Sequence, residues 1–146
     1  MTKEEKQLLI KDLSARLPHG VKVNVTNSTV YKDPMTVLGI DYSKEIVKIG
    51  DNIGGIFFTH SEHVADVKPY LRPMESMTDI ERDELHKYTC VVWNDKNDSH
   101  SEYERKTYSE SLKFDWLNQR MFDYRGLIYD GLALVAPDGM YNDKNE

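Results

Sequence analysis

The segment Thr59-His-Ser-Glu-His63 contains the residue types that hold metal ions and transfer protons. His60 and His63 can share a metal ion if they lie on one turn of a helix, and Glu62 could then act as a base. Zinc hydrolases instead place the two histidines four residues apart, with the glutamate next to the first one. Because the segment also follows the strand-like run Ile56-Phe-Phe58, we favour a solvated polar loop or strand end, and we expect no metal and no cofactor.

Other routes to catalysis find less support in the sequence. Cys90 lies in an apolar run without an identifiable partner, which predicts a buried structural thiol. The glycines in Gly50-Asp-Asn-Ile-Gly-Gly55 are not followed by the Lys-Ser/Thr pair of a phosphate-binding loop, so they indicate turns. We therefore expect a protein without catalytic residues.

Aromatic residues outside the expected core offer a different kind of site. The chain has nine tyrosines, and tyrosine is frequent at protein interfaces because it provides a large contact area with few rotatable bonds. Tyr31 and Tyr42 fall in predicted loops or turns, and we take them, together with Arg125, as the candidate binding residues. The alternative is that each tyrosine covers a loop and binds nothing.

Arg125 belongs to the segment FDYRGLIYDGLALVAPDGMY, residues 122–141. Its aromatic and aliphatic side chains, together with Trp116, predict an apolar cluster that closes the core. Gly126 and Gly131 suit a turn or the end of a short helix. We favour a structural tail over a ligand site. Arg125 is the one residue of this segment whose chemical role could go beyond packing.

The elements that must position these residues begin with a helix. Thr2 and Glu5 match the capping-box pattern S/T-x-x-E. Leucines then recur every four residues until Pro18, which predicts a helix of about four turns with one apolar face.

After Gly20 the hydrophobic period changes from four to two, which is typical of strands. The predicted strands lie at 21–25, 36–40, 46–49 and from 56 onward, with turns at 41–44 and 50–55. Short strands joined by turns predict an antiparallel meander of four or five strands curled into a small SH3-like barrel.

Helical patterns dominate after the barrel. Thr78 and Glu81 repeat the capping box and predict a helix from about Asp79 to Lys87. Residues 88–93 could form a strand or a buried helix end, and we favour the strand. Residues 94–111 contain no aliphatic side chain, which predicts a mobile surface loop.

A further helix is expected from Leu112 to about Phe122. The predicted fold class is therefore α+β, in two parts that pack as one unit. Residues 1–74 comprise the N-terminal helix and the barrel, and residues 75–146 comprise the helical region with its loop.

The composition limits the classes of function. With 146 residues the chain is long enough for one hydrophobic core. Its 25 acidic and 19 basic residues give a formal charge of −6, which repels phosphate backbones, so direct nucleic-acid binding is not expected. The sequence lacks a signal-peptide pattern and a run of about 18 apolar residues, so we expect a cytoplasmic protein that does not contact a membrane.

Three blocks of the sequence resemble a widespread group of uncharacterised short proteins of gut anaerobes, found also in their phages and prophages. The blocks are MTKEEKQLLIKDLSARLPHGVKV at 1–23, VKPYLRPMESMT at 67–78 and FDWLNQRMFDYRGLIYDGLALVAPDGMYN at 114–142. The most specific matches are KPYLRPM, DWLN and FDYRGLI. The resemblance implies an origin in a mobile element and an accessory role, and it brings no activity, cofactor or catalytic residue.

The function that we predict is that of a non-catalytic interaction protein that binds an unidentified protein of the host or phage. Two alternatives stay open. One is a metal-dependent or other small enzyme that uses His60, Glu62 and His63. The other is an acidic modulator that occupies a nucleic-acid-binding or host-defence protein. The sequence leaves the oligomeric state open.

Overall fold

The computed structural model describes residues 1–26, 34–89 and 102–141. Within these ranges the chain is α+β, as predicted. Its helices are α1 (Lys3–Arg16), α2 (Asp79–Thr89) and α3 (Glu102–Gln119). Its strands are β1 (Lys22–Val25), β2 (Met35–Asp41), β3 (Ile46–Ile53), β4 (Ile56–His63), β5 (Val67–Leu71) and β6 (Leu134–Val135).

Helix α1 begins with the predicted capping box. The Glu5 amide donates to Thr2 Oγ1 at 3.1 Å, and the Thr2 amide donates to Glu5 Oε2 at 3.0 Å, so two of the helix's first donors are satisfied. Leu9 and Leu13 are fully buried against the sheet. The leucine spacing thus predicted the buried face of this helix correctly.

The strands form one sheet in the order β4-β3-β2-β1-β5-β6. Neighbouring strands are antiparallel except for β5 and β6, which are parallel. Among the described residues no pairing joins β4 to β5 or β6, so the sheet is open and the SH3-like barrel is not confirmed. The second edge of β5, which a closed barrel would offer to β4, is occupied instead by β6 from the C-terminal segment.

The β3–β4 hairpin is longer than predicted. Strand β3 continues to Ile53, and only Gly54 and Gly55 form the turn, where the predicted turn spans 50–55. Both glycines have positive φ angles, 61° and 85°, as a tight two-residue hairpin turn requires. Strand β4 then continues to His63, so the segment from His60 to His63 is a strand and not a loop. Unbroken pairing with β3 satisfies the backbone groups of every second residue, although the side chains of this segment are polar.

Two predictions for the C-terminal half are wrong where the structure describes it. Helix α2 continues through Tyr88 and Thr89, where we favoured a strand, while residues 90–93 lie outside the described residues. Helix α3 begins at Glu102, so the predicted loop 94–111 is helical from 102 onward, and residues 94–101 lie outside the described residues. The first turns of α3 are rich in Glu, Arg and Lys, which favour a helix without an apolar stripe.

The segment that follows α3 packs into the core. Leu127 is fully buried, and Leu132 and Ala133 are nearly so, in the cluster that α1 forms with the sheet. Phe122 is fully buried in a second cluster, where it stacks on Trp116 with ring centroids 5.7 Å apart. This segment therefore contributes to both apolar clusters.

Candidate functional site

The candidate binding residues do not form one site. Tyr31 lies outside the described residues. Tyr42 lies in the β2–β3 turn, is 64% exposed, and donates a hydrogen bond from its hydroxyl to Ser14 Oγ at 2.7 Å. Arg125 instead contacts Asp12 of α1. Because residues two apart on a helix do not face each other, Tyr42 and Arg125 contact different sides of α1.

Tyr42 lines an open cleft of about 440 Å³ between α1 and the β2–β3 turn. The other lining residues are Gln7, Ile10, Lys11, Ser14 and Glu45. Glu45 Oε2 lies 3.6 Å from Lys6 Nζ and 3.6 Å from His63 Nε2, so its carboxylate already faces two basic side chains.

Arg125 takes part in a buried ionic cluster. Its Nε donates to Asp12 Oδ1 at 3.1 Å, and Arg16 Nε donates to Asp12 Oδ2 at 3.0 Å. Arg16 Nη2 also donates to the Phe122 carbonyl at 2.7 Å. Asp12 and Arg16 are fully buried, and the side chain of Arg125 is only 17% exposed. The contacts of Arg125 join the C-terminal segment to α1.

Asp123 supports the same segment from within. Its two carboxylate oxygens accept hydrogen bonds from the amides of Leu127 and Ile128, each at 2.9 Å. Tyr141 adds a further link, because its buried hydroxyl donates to the Tyr70 carbonyl at 2.8 Å. Burial raises the pKa of Tyr141 well above its usual value. These contacts support our interpretation of the segment as a structural closure.

The second cleft, of about 330 Å³, lies beside the start of α2 and is lined in part by Arg72. Both terminal nitrogens of this arginine donate to the Glu81 carboxylate at 2.7 Å, and its guanidinium lies 4.1 Å from the centre of the Phe122 ring. The Glu81 carboxylate therefore neutralises the charge of Arg72, which makes this cleft a weak candidate for an anion-binding site.

The histidines of β4 do not converge on one point. His60 and His63 are three positions apart in the strand. Because successive side chains alternate between its two faces, theirs lie on opposite faces. His60 Nε2 lies 2.8 Å from Glu62 Oε1, whereas His63 Nδ1 accepts a hydrogen bond from the Ala65 amide at 3.1 Å. Within the described ranges, no three His, Cys, Asp or Glu side chains gather as a metal site would require.

Three consecutive exposed apolar side chains lie at the end of the β3–β4 hairpin. Ile56, Phe57 and Phe58 are consecutive and are 61%, 60% and 48% exposed. We call these three residues the apolar tip. Side chains alternate between the two faces of a strand, so Phe57 lies on one face, beside Leu38, and Ile56 and Phe58 lie on the other. Isolated exposed apolar residues are common on proteins, but several together at one place mark an interaction surface.

Gly50 makes room for part of this surface. A Cβ atom at Gly50 would lie 2.6 Å from Leu38 Cδ1 and 3.1 Å from Phe57 Cζ, which is too close. Leu38, which is 40% exposed, and Phe57 therefore both lie against the backbone of β3. Because Gly50 has no side chain, the Phe57 ring can lie on the sheet surface beside Leu38.

Sequence reasoning missed the apolar tip because the run Ile56-Phe-Phe58 has the composition of a buried strand. The residues opposite it carried the necessary signal. Asp51 pairs with Phe58 and Asn52 pairs with Phe57 across the hairpin. Two polar residues opposite two phenylalanines, next to a Gly-Gly turn, indicate that this end of the hairpin extends beyond the core.

Comparison with known proteins gives no relative of this chain. No protein-family model, curated protein or solved structure matches it. Across residues 1–26, 34–89 and 102–141, no helix has the length and apolar character needed to span a bilayer.

Proposed function

We propose that the chain is a non-catalytic interaction protein whose contact surface is the apolar tip. The observation that carries this proposal is the exposure of three consecutive large apolar side chains at the end of a hairpin. Phenylalanine is enriched in the buried centres of interfaces, and a few such residues supply most of the binding free energy. The tip offers the partner exposed apolar side chains on a continuously paired strand.

The partner that fits this surface is a protein with an apolar groove that receives the end of the hairpin, with Phe57 on one face of the strand and Ile56 and Phe58 on the other. The formal charge of −6 favours a partner with basic residues around that groove, because opposite charges accelerate association. The resemblance to proteins of gut anaerobes and their phages leads us to propose a host or phage protein. The role is then accessory, acting through binding.

Affinity purification from the native host, followed by mass spectrometry, tests the proposal. We compare the wild type with Phe57→Lys and with the control Tyr129→Lys, which introduces the same charge at a residue that is 95% exposed. We expect the wild type and Tyr129→Lys to recover the same partner, and Phe57→Lys to recover at least about tenfold less of it, since loss of a central aromatic contact costs about 2 kcal/mol or more.

Thermal unfolding of all three proteins shows whether Phe57→Lys is folded, as we expect for an exposed position. Equal recovery by Phe57→Lys and the wild type would contradict the assignment of the apolar tip. Equal loss in both lysine variants would attribute the effect to charge rather than to this surface.

A further inference from the structure

One edge of β4 is not covered by any described strand. β4 is an end strand of the sheet, and its pairing with β3 continues without a bulge through eight residue pairs. Phe57, Thr59, Ser61 and His63 are all exposed, so the side chains along this strand face solvent. Proteins usually protect such an edge with proline, lysine or a bulge, and the segment Ile56–His63 has none of these.

The pairing with β3 determines which backbone groups face the open edge. The Val64 amide donates to the Glu45 carbonyl at 2.9 Å, which makes these residues a hydrogen-bonded pair. Hydrogen-bonded pairs alternate along an antiparallel ladder, so the even-numbered residues of β4 bond to β3. The odd-numbered residues therefore direct their amides and carbonyls away from the sheet. They are Phe57, Thr59, Ser61 and His63.

We propose that this edge pairs with β4 of a second copy of the chain, antiparallel, about a twofold axis at His60. With the axis at this position, Phe57 pairs with His63 of the second copy and Thr59 pairs with Ser61 of the second copy. Every outward-facing residue of β4 then has a partner, and any other axis leaves at least one of them unpaired. The inference concerns the edge of β4 and goes beyond the function proposed for the apolar tip.

The side chains of β4 are complementary to themselves in this register. Thr59 and Ser61 lie opposite each other and can share a hydroxyl hydrogen bond, a favourable cross-strand pair. Glu62, the one Asp, Glu, Lys or Arg residue in the strand, lies opposite Phe58 and diagonal to His60 of the second copy. No two like formal charges face each other. An unrelated strand would have to match this pattern, whereas a second copy matches it by symmetry.

The dimer keeps the apolar tip available. Antiparallel pairing places the two hairpin turns at opposite ends of the paired strands, separated by roughly the length of 11 residues, or about 36 Å. Each copy then presents one tip at its own end of the joined sheet. A second copy at the edge of β4 and another protein at the apolar tip are therefore compatible.

Sedimentation equilibrium of the full chain at concentrations of about 1–100 µM tests the dimer. Ser61→Pro removes an outward-facing amide and leaves the bonds to β3 intact, while Ser61→Ala keeps that amide. We expect the wild type and Ser61→Ala to be dimers, and Ser61→Pro to dissociate at least about tenfold more readily. A monomeric wild type at about 100 µM, or a Ser61→Pro variant that associates like Ser61→Ala, would overturn the proposal.

A cysteine pair tests the register without proline, in case Ser61→Pro fails to fold. In a Cys90→Ser background, His60→Cys places two thiols opposite each other at the axis, within the Cα separation that a disulfide requires. His63→Cys, the control, places them far apart. We expect mild oxidation to cross-link the His60→Cys chain alone. No cross-link at position 60, or equal cross-linking at both positions, would overturn the register. Either failure concerns the dimer alone, because a monomer still presents the apolar tip to its partner.

Discussion

At the scale of single residues, the carboxylate of Asp12 is the most constrained group that we find. Its two oxygens accept hydrogen bonds from Arg16 and Arg125, and Arg16 Nη1 is buried without a partner among the described residues. A buried carboxylate between two guanidinium groups is sensitive to the loss of any member, because the remaining charges stay buried. Asp12 therefore holds two arginines whose charges would otherwise be uncompensated.

The first prediction is that Asp12→Ala lowers the free energy of unfolding by about 3–5 kcal/mol, since it leaves Arg16 buried without a counter-charge. Asp79→Ala is the control, because the side chain of Asp79 is 98% exposed in its ion pair with Arg82. We expect this control to unfold like the wild type. Urea denaturation measures both. If Asp12→Ala has the same free energy of unfolding as Asp79→Ala, water must solvate the two arginines in place of the carboxylate.

The second prediction concerns acid stability and depends on Glu81. Burial raises the pKa of this carboxyl, but the hydrogen bonds from Arg72 and Thr78 outweigh that effect and lower the pKa from 4.5 to about 2. A lowered pKa in the folded state stabilises the protein above the unfolded pKa. This contribution is complete above a pH of about 4.5, and it is lost as the pH falls toward 2.

We therefore expect the free energy of unfolding to fall between these two pH values, and to fall less steeply in Glu81→Gln than in the wild type. Urea denaturation at a series of pH values measures the difference between the two slopes. Glu75→Gln, at an exposed position two residues beyond Pro73, is the control and should keep the wild-type slope. Parallel slopes for the wild type and Glu81→Gln would contradict the role of the Arg72 contact.

At the scale of elements, the β2–β3 turn is strained at one residue. Asp41 closes the turn, because its side chain accepts hydrogen bonds from the amides of Ser43 and Lys44 at 3.1 and 3.2 Å. The Ser43 hydroxyl also donates to Asp41 Oδ1 at 2.7 Å, and this bond, together with the one from the Lys44 amide, holds the pKa of the Asp41 carboxyl below its usual value. Glu45 ends the turn with φ at 54°, in the left-handed region that disfavours residues with a Cβ atom.

The third prediction is that Glu45→Gly is more stable than Glu45→Ala by about 1 kcal/mol, because both variants lose the contacts to Lys6 and His63 and only glycine relieves the left-handed strain. Thermal unfolding of the two variants isolates the backbone effect, since they differ by one methyl group. If Glu45→Ala proves the more stable of the two, the turn does not hold the left-handed conformation in solution.

The elements also show how far the sequence determines the structure. The leucine spacing predicted α1, and the alternation after Gly20 predicted β1, because a buried face imposes its period on the residues. The polar composition of residues 94–111 led us to predict a loop, but α3 begins at Glu102. Residues with high helix propensity can form a helix without a periodic apolar face. The apolar tip was missed because a local run does not reveal which strand lies opposite. Arg125 was named as a candidate binding residue, and its role in binding stays a prediction. A local sequence pattern could not reveal its contact with Asp12, because the two residues are 113 positions apart.

At the scale of the whole molecule, the segment after α3 joins the two apolar clusters. Phe122 of this segment belongs to the cluster that also contains Met77 and Trp116 of α3, and Leu127 belongs to the cluster between α1 and the sheet. The segment therefore links helix α3, helix α1 and the sheet. Removing the side chain of Trp116 or of Leu127 should therefore destabilise the entire fold.

The fourth prediction is that Trp116→Ala and Leu127→Ala each lower the free energy of unfolding by about 2–5 kcal/mol, the range for large buried side chains cut to alanine. Trp116 is 5% exposed and Leu127 is 0% exposed. The control variant is Tyr129→Ala, because Tyr129 is 95% exposed. Chemical denaturation compares the three variants. Near-native stability of both core variants would mean that the segment separates readily from the sheet.

The long separation between α1 and its partners also governs when the chain can fold during synthesis. Arg16 contacts Phe122 across 106 residues, and Asp12 contacts Arg125 across 113 residues. At about 5–20 residues per second, roughly 5–20 seconds pass between the synthesis of α1 and that of its partners. During this interval Arg16 lacks the Phe122 carbonyl and Asp12 lacks the Arg125 side chain. We therefore expect nascent chains that stop before residue 122 to be more open to proteases and chaperones than longer ones, because both buried charged groups of α1 then lack these partners.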